Sequence, residues 1–213
     1  MTVIAPNRFV EHITMLKTEG YTFIRVEELV SFMRRQISLP SKTVAVTFDD
    51  GWKDQLFAAN YMAEQGLSAT FYITSGHFDD PKYMSGDEVI ALSRNRQFEI
   101  GAHSHTHFPE LEGKDHTAMD PRAMIGELIM SKVLLEQLVG KEVKNYAWPF
   151  GYATTQSVQF AERLGFSSTA MINGVSKNEP GRTMELQRLN IDGRCTAGQL
   201  KNMIETGTLE ECK

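Results

Sequence analysis

Short apolar runs of strand length alternate with helix-periodic runs along most of this chain, with glycine, proline or polar turns between them. That alternation is the pattern of parallel βα units, in which a crossover helix follows each strand. Helical runs cover residues 7–19, 27–36, 54–65, 87–93, 121–139, 154–164 and 197–204, and candidate strands lie at 22–26, 44–48, 68–73, 98–102, 143–148, 168–172 and 187–191. Asp120 followed by Pro121 is a helix start, and Gly20, Gly66, Gly140 and Gly165 are stops. In the 121–139 helix, Ile125, Leu128, Ile129, Val133 and Leu134 are expected to face inward. Residues 108–120 read as loop. There is no internal repeat or dividing linker, so residues 1–213 are expected to form a single domain. A doubly wound sheet and a barrel both fit; the lack of a Gly-rich phosphate loop weakens the nucleotide-binding sheet.

The run Val44-Ala45-Val46-Thr47-Phe48 reads as an interior strand, and it ends in Asp49-Asp50-Gly51. Two adjacent carboxylates repel, and burial costs each its hydration. A bound cation removes that cost. Two further motifs also follow candidate strands: His103-Ser104-His105-Thr106-His107, and Trp148-Pro149-Phe150-Gly151. The C-terminal ends of parallel strands share one face, where active sites form. His103 and His107 fall on one side of either a helix turn or an extended strand, and His105 joins them only if the backbone is extended. With Asp50 they make two imidazoles and one carboxylate, a set that suits zinc or another divalent transition metal and leaves positions open for water and substrate.

Composition narrows the function classes. Charged residues are 23% and hydrophobic residues 41%, as in an ordinary globular chain. The net charge is −5 and no basic stretch marks a nucleic-acid footprint, so nucleic acid is not an expected partner. No apolar run reaches the roughly 20 residues of a transmembrane helix. The start, MTVIAPNRFVEH, lacks the features of a signal peptide. A cytoplasmic chain is expected as it stands, with an exported longer form as the alternative. Cys195 and Cys212 are not a close-spaced metal pair; a disulfide between them is the less expected state.

The pairing of Thr47-Phe48-Asp49-Asp50-Gly51 with His103-Ser104-His105-Thr106-His107 resembles the first two motifs of the NodB-like polysaccharide deacetylases, carbohydrate esterase family 4. Residues 9–29, 68–73, 84–107 and 146–151 are similar to the corresponding family segments, and the poly-N-acetylglucosamine deacetylase branch looks nearest. The resemblance implies a distorted, incomplete (β/α) barrel and hydrolysis of N-acetyl groups on a glycan. It implies that Asp50, His103 and His107 bind one divalent metal, zinc first, with nickel or cobalt as alternatives. It also implies that Asp49 takes a proton from the water the metal activates, and that the Phe150 backbone N–H helps to hold the oxyanion.

The chain departs from the family pattern in three places. Ala147 stands where an arginine usually precedes the third motif's proline by two residues; Arg188, on the last strand, is the candidate substitute. Gly86 stands where many relatives have tryptophan, which would open one wall of the groove. Trp52 and Trp148 are candidate sugar-stacking surfaces, with a core role as the other reading of Trp148. The general acid is missing: no histidine follows His116, and the permuted branch carries its histidine in a Tyr-His segment ahead of the region resembling 7–19. Either an N-terminal segment is missing or the enzyme is wired differently. His12 is the nearby candidate and is expected to pack or face solvent. The rival functions are a non-catalytic carbohydrate-binding domain that keeps the metal site, and a hydrolase of another small amide or ester.

Overall fold

The structure, a computed structural model, describes residues 4–108, 120–172, 174–176 and 178–212. The strands are β1 (Thr22–Ile24), β2 (Thr43–Ala45), β3 (Thr47–Phe48), β4 (Ala69–Ile73), β5 (Phe98–Ala102), β6 (Asn145–Ala147), β7 (Ser168–Ile172) and β8 (Leu186–Arg188). β1 and β2 form a parallel pair, and β3 to β8 form a second parallel sheet in chain order. A doubly wound sheet reverses its strand order at a switch point. This one does not, so the barrel alternative holds. Laid flat, six strands would separate β3 from β8 by about 24 Å. Arg188 on β8 instead reaches Thr47 on β3 at 3.0 Å, so the sheet is curled into a half-barrel.

The helices are α1 (Pro6–Thr18), α2 (Val26–Met33), α3 (Gln55–Glu64), α4 (Gly86–Arg94), α5 (Pro121–Val139), α6 (Thr155–Arg163) and α7 (Ala197–Thr206). Side-chain alternation divides the strands between two cores. Phe71, Phe98, Ile100, Tyr146 and Trp148 join the larger core, with residues of α1, α3, α4, α5, α6 and α7. Tyr72, Ala147, Ala170 and Leu186 point the other way and pack against Val26, Val30 and Met33 of α2. The helix α2 therefore fills the hollow of the half-barrel. Its start is tied down by Glu99, which accepts from the Glu27 backbone N–H at 3.0 Å and from the Thr70 hydroxyl at 2.8 Å, and also bonds Asn145.

Several expectations change. The run 44–48 is not an interior strand: its five residues are half-buried, because it breaks at Val46 into β2 and β3, and β3 is a sheet edge. Ile129 and Val133 of α5 face solvent, while Met124, Leu128 and Leu135 carry the buried stripe. Cys195 and Cys212 are joined in a disulfide. The 109–119 part of the expected loop lies outside the described residues.

Burial raises the Glu99 carboxyl above its ordinary value, against the hydrogen bonds from Thr70, Glu27 and Asn145. A raised carboxyl pKa contributes stability that is present below the unfolded pKa and is lost as pH rises through the folded one. In urea unfolding, the stability advantage of wild type over Glu99→Gln should therefore shrink as pH is raised from about 5 to about 8. A widening gap would contradict the burial argument.

Candidate metal centre and its carboxylate neighbour

All three strand-end motifs lie on the C-terminal side of the sheet. Asp50 follows β3, and its carboxylate Oδ1 lies 3.2 Å from His103 Nε2 and 3.2 Å from His107 Nε2. Among the described residues these three form a group able to hold a metal ion. A tetrahedral centre with bonds of about 2.0 Å has ligand–ligand edges of about 3.3 Å; the two edges from Asp50 Oδ1 match that length, and all three donor atoms lie within 4.8 Å of one another. The donor types also fit, and the His103 tautomer is set: its Nδ1–H donates to the Ala147 carbonyl at 2.9 Å, which leaves the Nε2 lone pair for a metal. The electrostatics ask for positive charge at the same point. Burial opposes ionisation of Asp50, but hydrogen bonds and charge from His103 and His107 hold its carboxyl well below the usual range. Burial would lower His103, yet Asp49 and Asp50 draw it upward.

Asp49 has a different partner. Arg188 donates to its two oxygens at 2.7 and 2.8 Å, a bidentate pair. Burial alone would raise the Asp49 carboxyl, but the guanidinium and the nearby His103 hold it below its ordinary value. The arginine is itself supported. Its guanidinium lies over the Tyr72 ring, 5.4 Å from the centroid. Tyr72 has room because Gly101 lies beneath it: a Cβ there would sit 2.4 Å from the ring. Ala147, at the position where the family motif has arginine, is fully buried in the α2 core. The guanidinium that pairs with Asp49 comes from β8.

His105 does not join the metal group. Ser104 has a positive φ of 61° and turns the chain, so the backbone is not extended. The His105 ring meets the Ser75 hydroxyl at 3.0 Å. Glu127 of α5 holds the loop between His103 and His107: it accepts from the His105 and Thr106 backbone N–H groups at 2.7 and 2.6 Å and from the Thr106 hydroxyl at 2.9 Å. Sequence reasoning missed Glu127, although its place beside Met124, Leu128 and Ser131 on one helix face was a signal. The third motif forms a tight turn that sets the Phe150 ring edge-on to His107, with centroids 4.8 Å apart.

Two expectations are corrected. Trp148 is 0% exposed and packs against Tyr146, so no face of its ring is open to a sugar. At Gly86 a Cβ would point at Leu138 of α5, at 3.2 Å, so a side chain there would pack between helices before it lined a groove. Trp52 is half-buried and stacks on Tyr83 at 4.1 Å, which covers one face. His12 is buried, and its Nε2 hydrogen-bonds the Cys195 carbonyl at 2.7 Å, so its role is structural.

Fold and site together define a curled parallel α/β half-barrel carrying a two-histidine, one-carboxylate group that could hold a metal ion. The profile of the polysaccharide deacetylase family matches residues 36–169, more than half of the chain, and the chain belongs to that family. The Bacillus subtilis (strain 168) protein YxkH, itself named as a polysaccharide deacetylase, is 23% identical over 165 residues, 76% of this chain. The match spans 56% of that relative's length. The fold is similar to that of the Streptococcus pyogenes deacetylase PplD, solved with acetate, at a TM-score of 0.83 and 20% identity over 99% of this chain and 89% of that one. It is also similar to IcaB from Ammonifex degensii, at 0.81 and 20% over 89% and 84%.

Gly151 fixes the third-motif turn. It has a φ of 72°, and a Cβ there would stand 2.7 Å from the Ile172 backbone nitrogen, which cannot yield as a flexible side chain would. Gly151→Ala should lower unfolding stability by at least about 2 kcal/mol, through left-handed strain and the backbone clash together. A loss below about 0.5 kcal/mol, the usual range for neutral surface changes, would show that the turn relaxes freely.

Proposed function

We propose that this protein is a divalent-metal-dependent deacetylase that removes N-acetyl groups from sugars of a polysaccharide or glycan precursor. The observation that carries this reading is the placement of Asp50, His103 and His107 as one donor set beside a second carboxylate, Asp49, paired with Arg188. Family membership supports deacetylation. Asp50 Oδ1, His103 Nε2 and His107 Nε2 would hold the ion, zinc first and nickel or cobalt as alternatives. When bound, the metal supplies Lewis-acid polarisation of the acetamide carbonyl and makes water at its open position more acidic.

The chain's own residues do the rest. Asp49 is ionised at neutral pH because Arg188 holds its pKa down, so it can accept a proton from the attacking water. Arg188 occupies both carboxylate oxygens but not all of their lone pairs, so Asp49 keeps an acceptor site for that proton. Water adds its oxygen to the acetyl carbon, the C–N bond breaks, and acetate and a sugar amine result. Asp49, protonated in the first step, can return the proton to the leaving nitrogen. The Phe150 backbone N–H is the proposed donor to the developing oxyanion, and the outer face of Trp52 the proposed sugar contact. We also propose that the whole chain acts as one domain. The Cys195–Cys212 disulfide supports maturation in an oxidising compartment. No helix among the described residues is long and apolar enough to cross a membrane.

A specific observation favours the rival reading of a glycan-binding, non-turning domain: the sequence has no histidine beyond His116 to serve as a late acid. Acetate release from N-acetylated chito-oligomers separates the two. Wild type should bind one zinc per chain and release acetate. Asp49→Asn should keep the zinc and lose activity by a factor of about 100 or more. Glycan binding without acetate release at any pH would establish the rival, and an undiminished rate in Asp49→Asn would remove Asp49 from the chemistry.

A further inference from the structure

We infer that Trp52 is a positioning residue for Asp50: its indole N–H holds the carboxylate in a one-oxygen binding mode toward the metal. The inference rests on the metal reading above and concerns how that site is tuned.

The geometry divides the two oxygens of Asp50. Oδ1 faces both imidazoles at 3.2 Å, and Oδ2 accepts from Trp52 Nε1 at 2.8 Å. An indole N–H can only donate, so it competes with a metal for that oxygen and cannot itself be a ligand. With Oδ2 engaged, Asp50 offers the ion one oxygen. Three single-atom ligands leave more of a four- or five-coordinate ion's positions open than a chelating carboxylate would. Groups that bond to metal ligands from outside also set affinity, because they fix each ligand's orientation before the metal arrives.

The indole is held by stacking on one face. Its ring stacks on Tyr83 at 4.1 Å, and Tyr83 stacks on His77 at 4.5 Å. The backbone is tied as well: Trp52 and Tyr83 form an antiparallel bridge, flanked by Met84 N–H to Gly51 carbonyl and Lys53 N–H to Lys82 carbonyl, each 2.8 Å. That ribbon leads into α4, where Glu88 both caps the helix through Ser85 and meets Lys53 at 2.6 Å. Asp50 itself has a left-handed φ of 75°, a conformation that costs energy for a non-glycine residue and needs external support. The Trp52 stack supplies that support at the side chain.

The test measures metal binding, not turnover. Trp52→Phe keeps an aromatic ring on Tyr83 and removes the N–H together with the second ring of the indole. Its affinity for zinc, read by competition with a chromophoric chelator, should fall by about 10- to 100-fold. The metal-free protein should unfold at nearly the same temperature as wild type. With cobalt in place of zinc, the visible absorption should weaken, as it does when a carboxylate chelates and coordination number rises. Unchanged affinity and an unchanged cobalt spectrum would overturn the inference while leaving the metal site intact. Failure of wild type to bind any divalent metal would overturn the reading beneath it. A second measurement needs no variant: in ¹H–¹⁵N spectra of the two indole groups, the Trp52 signal should shift on zinc addition, with the buried Trp148 as internal reference. A Trp52 signal that does not respond would contradict the proposal even if Trp52→Phe fails to fold.

Discussion

The pair between Arg188 and Asp49 is the contact on which the rest of the site depends. It joins β8 and β3, the two edge strands of the half-barrel, which among the described residues are not paired as neighbours in the sheet. Both groups are largely buried, at 14% and 23% side-chain exposure. Leaving either one alone in that place would strand a charge that has lost its water. The pair therefore has two consequences at once. It ties the edges together, and it keeps Asp49 ionised next to a carboxylate that faces two imidazoles. The separate partners resolve the repulsion that two adjacent acids would otherwise impose: Arg188 neutralises Asp49, and the imidazole pair, or an ion between them, neutralises Asp50.

Much of this was legible in the sequence because it lies close to the backbone pattern. Strand and helix alternation gave the βα order, and the position of Asp50, His103 and His107 at strand ends gave their convergence. The order of strands in the sheet, which decides between a wound sheet and a curled one, is a matter of long-range pairing and left no local trace. The misreadings have physical reasons. Trp148 shares a strand face with Tyr146, and that alternation, followed through, assigns it to the outer core. The 17-residue separation of Cys195 and Cys212 says nothing of the 4.9 Å between their Cα atoms, which tertiary packing sets. On α5 the apolar residues exceed the buried stripe, so periodicity alone could not say that Ile129 and Val133 lie outside it.

The contacts that tune the site were the least legible. Trp52 on Asp50, Ala147 carbonyl on His103 and Glu127 on the 105–106 backbone all depend on side-chain direction across a tertiary interface. Local strain was invisible too. Among the described residues, six non-glycine residues have positive φ: Arg35, just after α2, and Asp50, Ser104, His107, Phe108 and Phe150, which belong to the site's loops. Such residues persist where surrounding contacts hold them, and they gather where geometry serves function. The supporting contacts are those named above, so the site's precision rests on the scaffold around Asp50, His103 and His107 as much as on those three residues.

The most direct measurement is a double-mutant cycle on unfolding stability, with Asp49→Asn, Arg188→Met and the double variant, all in chelator so that no metal contributes. If the pair closes the half-barrel, each single change strands its partner, and the double variant should be more stable than the sum of the two losses predicts, by at least about 1.5 kcal/mol. Losses that add to within about 0.5 kcal/mol would show two independent residues and would contradict the account.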